Sequence, residues 1–169
     1  TSAMYAQSFF QKMNFDALTV NPYMGIDSVE PFFAFENKWV ILLALTSNKG
    51  SDDFQKIEDK NHVKLYQQVI SKSSKWADDS KIMYVVGATK ANYLTEIRKK
   101  IPNHFLLIPG VGAQGGNISD VIKNGLNKDF GLLINSSRSI IYAGKDENFT
   151  QASRAVALEM KRQMEIYLS

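Results

Sequence analysis

Residues 104–116 read His-Phe-Leu-Leu-Ile-Pro-Gly-Val-Gly-Ala-Gln-Gly-Gly, an apolar run that breaks at Pro109 and Gly110 into a turn rich in glycine. Ile118, Val121 and Ile122 follow at helical spacing, so the stretch predicts a strand, a glycine-rich turn and a helix start. Without a Cβ in the way, such a backbone can approach a ligand closely. The N–H groups of the turn, and of the next helix's first turn, favour an anion. Gln114 is the long polar side chain of the turn and the natural group to reach over a bound ligand. A ligand-free connection between strand and helix remains the alternative, because glycine-rich loops often have no ligand.

Further polar groups stand where other apolar runs end. Asn21 ends the first, Ser47 the second and Gly87 the third, and Ser136, Ser137 and Arg138 follow the last. In parallel α/β folds, sites lie at the carboxyl ends of strands. Ser47 could face a ligand or cap a helix, with Ser51 and Asp52 as competing caps. Asn21 is expected to fix the turn at Pro22. His62 and His104 are solitary, without a second histidine or a carboxylate at ligand spacing, and are expected at the surface.

The elements that carry these groups follow from periodicity. Residues 1–14 predict an amphipathic helix with Tyr5, Phe9, Phe10 and Met13 on the buried side. Ala17–Val20 is a short strand, and Asp27 with Glu30 predicts a capping box for a helix reaching Asn37. Trp39–Leu45 is a continuous apolar run, the pattern of a strand buried on both faces. A long helical stretch through Phe54, Ile57, Leu65, Val69 and Trp76 breaks near Lys60. Strands at 82–86, 105–108 and 132–134 alternate with helices marked by Leu94, Ile97 and Ile101, by 118–125, and by a closing helix from Phe149 to Tyr167. A helix followed by five strand-helix pairs demands a parallel sheet covered by helices.

Composition narrows the function. The 169 residues suffice for one domain, 1–169, with a sizeable core. Lys and Arg are scattered among Asp and Glu at a net charge of +3, so no basic stripe points to nucleic acid. No apolar run approaches the ~18 residues that a membrane span needs. The chain has no cysteine, which removes disulfides, thiolate metal sites and cysteine nucleophiles and suits a cytoplasmic home. No GxGxxG fingerprint opens the chain, so a dinucleotide fold is not favoured.

Several loops together match one family. Leu-Thr-Ser-Asn-Lys-Gly at 45–50, Val-Gly-Ala-Thr at 86–89, Pro-Gly-Val-Gly-Ala-Gln-Gly-Gly at 109–116 and Ile-Asn-Ser-Ser-Arg-Ser-Ile at 134–140 resemble the last four strand ends of orotidine 5'-monophosphate decarboxylase. Val-Asn-Pro-Tyr-Met-Gly at 20–25 resembles the preceding strand end of the longer bacterial branch.

The resemblance implies a TIM (β/α)8 barrel, of which this chain supplies about the last five strand-helix units. It also implies a homodimer that works without cofactor or metal, on orotidine 5'-monophosphate. By that resemblance Ser47 bonds the pyrimidine, and Pro109 stands at the base of a phosphate-gripping loop whose Gln114 and Gly115 meet phosphate and base. Arg138 holds the phosphate with the backbone around Ser137, and Thr1 reaches the ribose of the neighbouring subunit's ligand. The family's catalytic Lys-Asp array falls upstream of Thr1, and no such run occurs in this chain. A C-terminal portion alone would leave sheet edges unpaired. Competing expectations are another phosphate-binding barrel acting on a sugar phosphate, and a non-catalytic nucleotide-binding module.

Overall fold

The computed structural model describes residues 1–112 and 115–168. Five strands, β1 (Ala17–Val20), β2 (Trp39–Leu45), β3 (Ile82–Val86), β4 (Leu106–Pro109) and β5 (Leu132–Asn135), form one parallel sheet in chain order. The helices are α1 (Ser2–Ala6), α2 (Ser51–Phe54), α3 (Leu65–Ser73), α4 (Leu94–Lys100), α5 (Ile118–Gly125), α6 (Arg138–Ile141) and α7 (Phe149–Glu165).

Both faces of the central strands are apolar, as their unbroken runs imply. On one face Val40, Leu42, Ile82, Tyr84, Leu106 and Ile108 share a core with helix residues such as Ile70, Leu94, Ile97 and Val121. On the other, Ile41, Met83 and Val85 pack with Trp39, Leu43, Phe105 and Leu107. The Trp39 and Phe105 rings meet edge-on at 6.3 Å across that second face. The β2–β3 register shifts between Leu43 and Leu45, so β2 carries one extra residue just before its end.

Three helical expectations change. The first helix is a short α-turn followed by a π-helical segment, Gln7–Lys12. A widened turn breaks the 3.6-residue stripe. Its buried positions are Ala6 and Phe10, while Tyr5 and Met13 are more than half exposed. Phe10 anchors the segment by edge contacts with Phe32 and Phe35. Asp27 and Glu30 form no capping box, and no α-helix runs to Asn37; the chain makes two 3-10 turns instead, Ile26–Ser28 and Glu30–Ala34. Pro31 lacks the N–H that an α-turn would use and restricts Glu30 before it, so the helix cannot propagate. The first strand is therefore followed by 3-10 turns and not by a covering helix.

The long stretch through Phe54 and Trp76 is two short helices, α2 ending at Phe54 and α3 running Leu65–Ser73, with Ile57 and Lys60 in the loop between them and Trp76 in a turn beyond. Asp59 Oδ1 accepts from the N–H groups of Asn61 at 2.9 Å and Val63 at 3.0 Å, and His62 takes a positive φ of 59°.

At the amino-terminal edge of the sheet, Arg98 joins remote stretches of backbone. Its Nε donates to Gly125 O at 2.6 Å and its Nη2 to Gly131 O at 2.8 Å. Nη1 donates to His104 O at 2.5 Å and to Ile101 O at 3.4 Å. Burial pushes the guanidinium down to about 10, so it remains charged at neutral pH.

His104 is not the surface residue expected. Both ring nitrogens are buried without a hydrogen-bond partner, and the ring lies 5.6 Å from that of Tyr84. Burial, reinforced by the Arg98 charge and opposed by Asp79 and Asp78, holds its pKa below the usual 6.5. The folded state thus resists a proton that the unfolded chain accepts. Stability is therefore unaffected well above pH 6.5 and falls as the pH drops below it. Urea titrations at pH about 7.5 and about 5 are expected to show a smaller acid loss in His104→Phe than in the wild type. Equal losses in both would remove His104 as the cause.

Candidate functional site

The loops at the carboxyl ends of the strands meet along one rim. At β2 and β3 the approach is backbone against backbone. A Cβ on Gly87 would stand 2.5 Å from Ser47 N and 2.6 Å from its Cα, so only glycine fits there. Gly87 N–H donates to Leu45 O at 2.7 Å, and the Thr89 hydroxyl donates to Ser47 O at 3.3 Å. Ser47 is half-buried in this junction. The N-cap of α2 is Gly50, with no side-chain cap from Ser51 or Asp52.

Charge bridges the same two loops. The Asp52 carboxylate lies 2.7 Å from Lys56 Nζ and 3.6 Å from Lys90 Nζ, the latter on the loop after β3. The Lys56 hydrogen bond holds Asp52 below the usual carboxylate range, and the same bond holds Lys56 above the usual lysine value.

The glycine turn meets the loop after β5. Pro109 ends β4 opposite Asn135. Gly112 has a φ of 75°, and a Cβ there would come within 2.7 Å of Ser139 Oγ. The Ser136 hydroxyl donates to Val111 O at 3.5 Å. Within the turn, Gly115 N–H donates to Gly112 O at 2.8 Å and Gly116 N–H to Gly110 O at 3.2 Å. A cavity of about 710 Å³ opens between this turn and α7, lined by Gly112, Gly115, Ser136, Ser139, Glu159 and Gln163 among others.

The first turn of α5 is not open to an anion as the sequence suggested. Asn117 caps it, its Oδ1 accepting from Ser119 N at 2.8 Å and Asp120 N at 3.4 Å. An asparagine just before an apolar helical run is a readable cap signal. What the turn offers an anion is therefore loop backbone and side chains rather than a free helix start.

The candidates from sequence are placed as follows. Ser47, Pro109, Gly115 and Ser137 all stand on this rim, at the ends of β2, β4 and β5. Ser137 is the N-cap of α6, and its hydroxyl donates to Asn135 Oδ1 at 3.4 Å. Arg138 opens α6 and is exposed. Among the described residues it does not line the cavity beside the turn, whereas Ser136 and Ser139 do. Gln114 lies outside the described residues. Thr1 is the exposed N-cap of α1, and its carbonyl accepts from Met4 and Tyr5 N–H. No hydrogen bond ties it to the other candidates among the described residues. Asn21 does fix its turn, accepting from Tyr23 N at 3.0 Å.

Sequence reading missed Thr46 and Gln55. The Thr46 N–H and hydroxyl are both held by the half-buried Gln55 side chain. Nothing in the periodicity marks a contact between a strand end and a residue just past a one-turn helix.

Among the described residues no cluster of three His, Cys, Asp or Glu groups could hold a metal, and no helix is long and apolar enough to cross a membrane.

The chain is similar to known proteins over nearly its whole length. Residues 1–153 match the family described as orotidine 5'-phosphate decarboxylase / HUMPS. A Bacteroides fragilis protein named orotidine 5'-phosphate decarboxylase is 58% identical over 164 residues, covering 97% of this chain and 60% of the relative. The Flavobacterium johnsoniae protein of the same name is 55% identical over 164 residues, with the same two coverages. The chain thus spans about 60% of the length of the curated relatives it matches. In structure it is similar to Leishmania donovani OMP decarboxylase, with a TM-score of 0.79 and 32% identity over 95% of this chain and 62% of that one. It is also similar to Leishmania donovani UMP synthase, with a TM-score of 0.81 and 35% identity over 95% of this chain and 36% of that one. The five parallel strands with their helices are part of a TIM barrel.

Proposed function

Since the chain belongs to the orotidine 5'-phosphate decarboxylase / HUMPS family, we propose that the intact protein converts orotidine 5'-monophosphate to uridine 5'-monophosphate and carbon dioxide. The observation that carries this reading is the meeting of the glycine turn with the loop after β5, Ser136 on Val111 and Ser139 against Gly112. It creates a rim where a phosphate and a base can be held from adjacent strands.

In the reaction the bond from C6 to the carboxylate breaks, its electron pair stays on C6, carbon dioxide leaves, and a proton is delivered to C6. Catalysis then rests on preorganised charge around that carbon and on a nearby ammonium as acid. By the family resemblance, those groups belong to the Lys-Asp array upstream of Thr1. This chain's share is binding. Arg138, Gly115, the Ser137 backbone and Gln114 hold the phosphate above Pro109, and Ser47 meets the pyrimidine. Phosphate binding remote from C6 can drive loop closure and lower the barrier at the base. Thr1 would serve a neighbouring subunit's ligand, which requires a homodimer, and the cytoplasm is the compartment proposed.

Calorimetry on the intact protein tests the reading. A 6-substituted uridine monophosphate is expected to bind at least about 100-fold more tightly than ribose 5-phosphate or free phosphate. Equal affinities would rule out the decarboxylase and leave a barrel that acts on a sugar phosphate.

A further inference from the structure

Thr46 and Gln55 meet through both ends of one amide. The Thr46 backbone N–H donates to Gln55 Oε1 at 2.7 Å, and Gln55 Nε2 donates to the Thr46 hydroxyl at 2.9 Å. The hydroxyl has one proton to give, and Asn48 Oδ1 stands ready at 2.6 Å. Gln55 Oε1, at 3.3 Å, is the more distant acceptor for that proton, so the hydroxyl accepts from Gln55 and donates to Asn48.

Gln55 is itself held in place by the next helix, because Tyr66 N–H donates to Gln55 O at 3.0 Å. The end of β2 is thus tied from one side to α3. From the other side the loop after β3 holds Ser47, through the Thr89 hydroxyl on its carbonyl and through Gly87, where no side chain fits. Thr46 and Ser47 are adjacent, so the two anchors fix the direction in which the strand end presents the serine. The residue that does this from the α3 side is Gln55, across nine positions of sequence.

We infer that Gln55 is a positioning residue for base recognition: its amide clamps Thr46 and thereby sets Ser47, without itself touching the ligand. This rests on the pyrimidine role proposed for Ser47. The phosphate is assigned to a different part of the rim, the ends of β4 and β5. Loss of the clamp therefore affects the base and spares the phosphate. A residue that only stabilised the α2 loop would weaken both ligands alike or neither.

The test compares uridine 5'-monophosphate with ribose 5-phosphate by calorimetry on the intact protein, well below its melting temperature. Gln55→Leu is expected to weaken the nucleotide about tenfold and to change ribose 5-phosphate by less than about twofold. Gln55→Glu keeps an acceptor for the Thr46 N–H and is expected to return the ratio of the two affinities to within about threefold of wild type. Thr46→Val, a milder change, removes the hydroxyl end of the clamp and is expected to shift the ratio in the same direction, which decides the matter if Gln55→Leu does not fold. A wild-type protein that binds both ligands equally defeats the nucleotide reading itself. A wild type that discriminates, with Gln55→Leu or Thr46→Val keeping the same ratio, overturns the positioning role.

Discussion

Replacing Arg138 with alanine is expected to weaken a uridine monophosphate about 100-fold while leaving the parent nucleoside nearly unchanged. A guanidinium can give a phosphate two parallel charge-assisted hydrogen bonds, each worth roughly 1.5–3 kcal/mol. Discounting for solvent at an exposed position leaves about 3 kcal/mol, or about 100-fold. Arg138 is exposed without ligand, so the variant should fold normally, surface changes of this kind usually costing within about 0.5 kcal/mol. Isothermal calorimetry with nucleotide and nucleoside separates the outcomes. Similar losses for both ligands would take Arg138 out of the phosphate role, and the serine-lined cavity beside the glycine turn would become the better candidate for the anion.

Arg98→Ala is expected to be the most damaging change for stability, removing about 3 kcal/mol or more in urea titrations of the full chain. The guanidinium reaches four carbonyls, those of Gly125, Ile101, His104 and Gly131. These belong to the end of α5, the end of α4 and the starts of β4 and β5, so one side chain closes several connections. Truncation removes the bonds and leaves carbonyls short of a donor. Arg98→Lys should recover less than about half of the loss, because an ammonium cannot reproduce the planar fork. A loss under about 1 kcal/mol for Arg98→Ala would show that water replaces the side chain at little cost.

The sequence made some parts of this molecule legible and hid others for physical reasons. The apolar run at Trp39–Leu45 has the pattern of a strand buried on both faces, and the structure shows it so; the run at Ile82–Val86 is likewise a strand. The rim could also be found, because polar and glycine residues follow every strand. Failures came where one residue overrides a pattern. Pro31 stops the helix that the spacing of Asp27 and Glu30 predicts, and a π-helical segment at Gln7–Lys12 rotates a stripe that begins as α-helix. Contacts with backbone left no trace at all. Nothing in the sequence singles out Arg98, because its partners are backbone carbonyls, two of them 27 and 33 residues away. His104 looked polar and isolated, yet the fold buries its ring beside Tyr84.

A sheet with greasy side chains above and below loses a safeguard that half-wet sheets possess. There, sliding a strand by one position throws its hydrophobic set into water. Here β2 and β3 could slide without that penalty, so something else must prevent it. The close fit of Gly87 on Ser47 blocks one end, and Lys81, whose Nζ bonds Phe33 O at 3.3 Å and Phe35 O at 3.0 Å, pins the other. Alignment of the two strands is thus enforced at their tips, and one of those tips is the place where a ligand would be read.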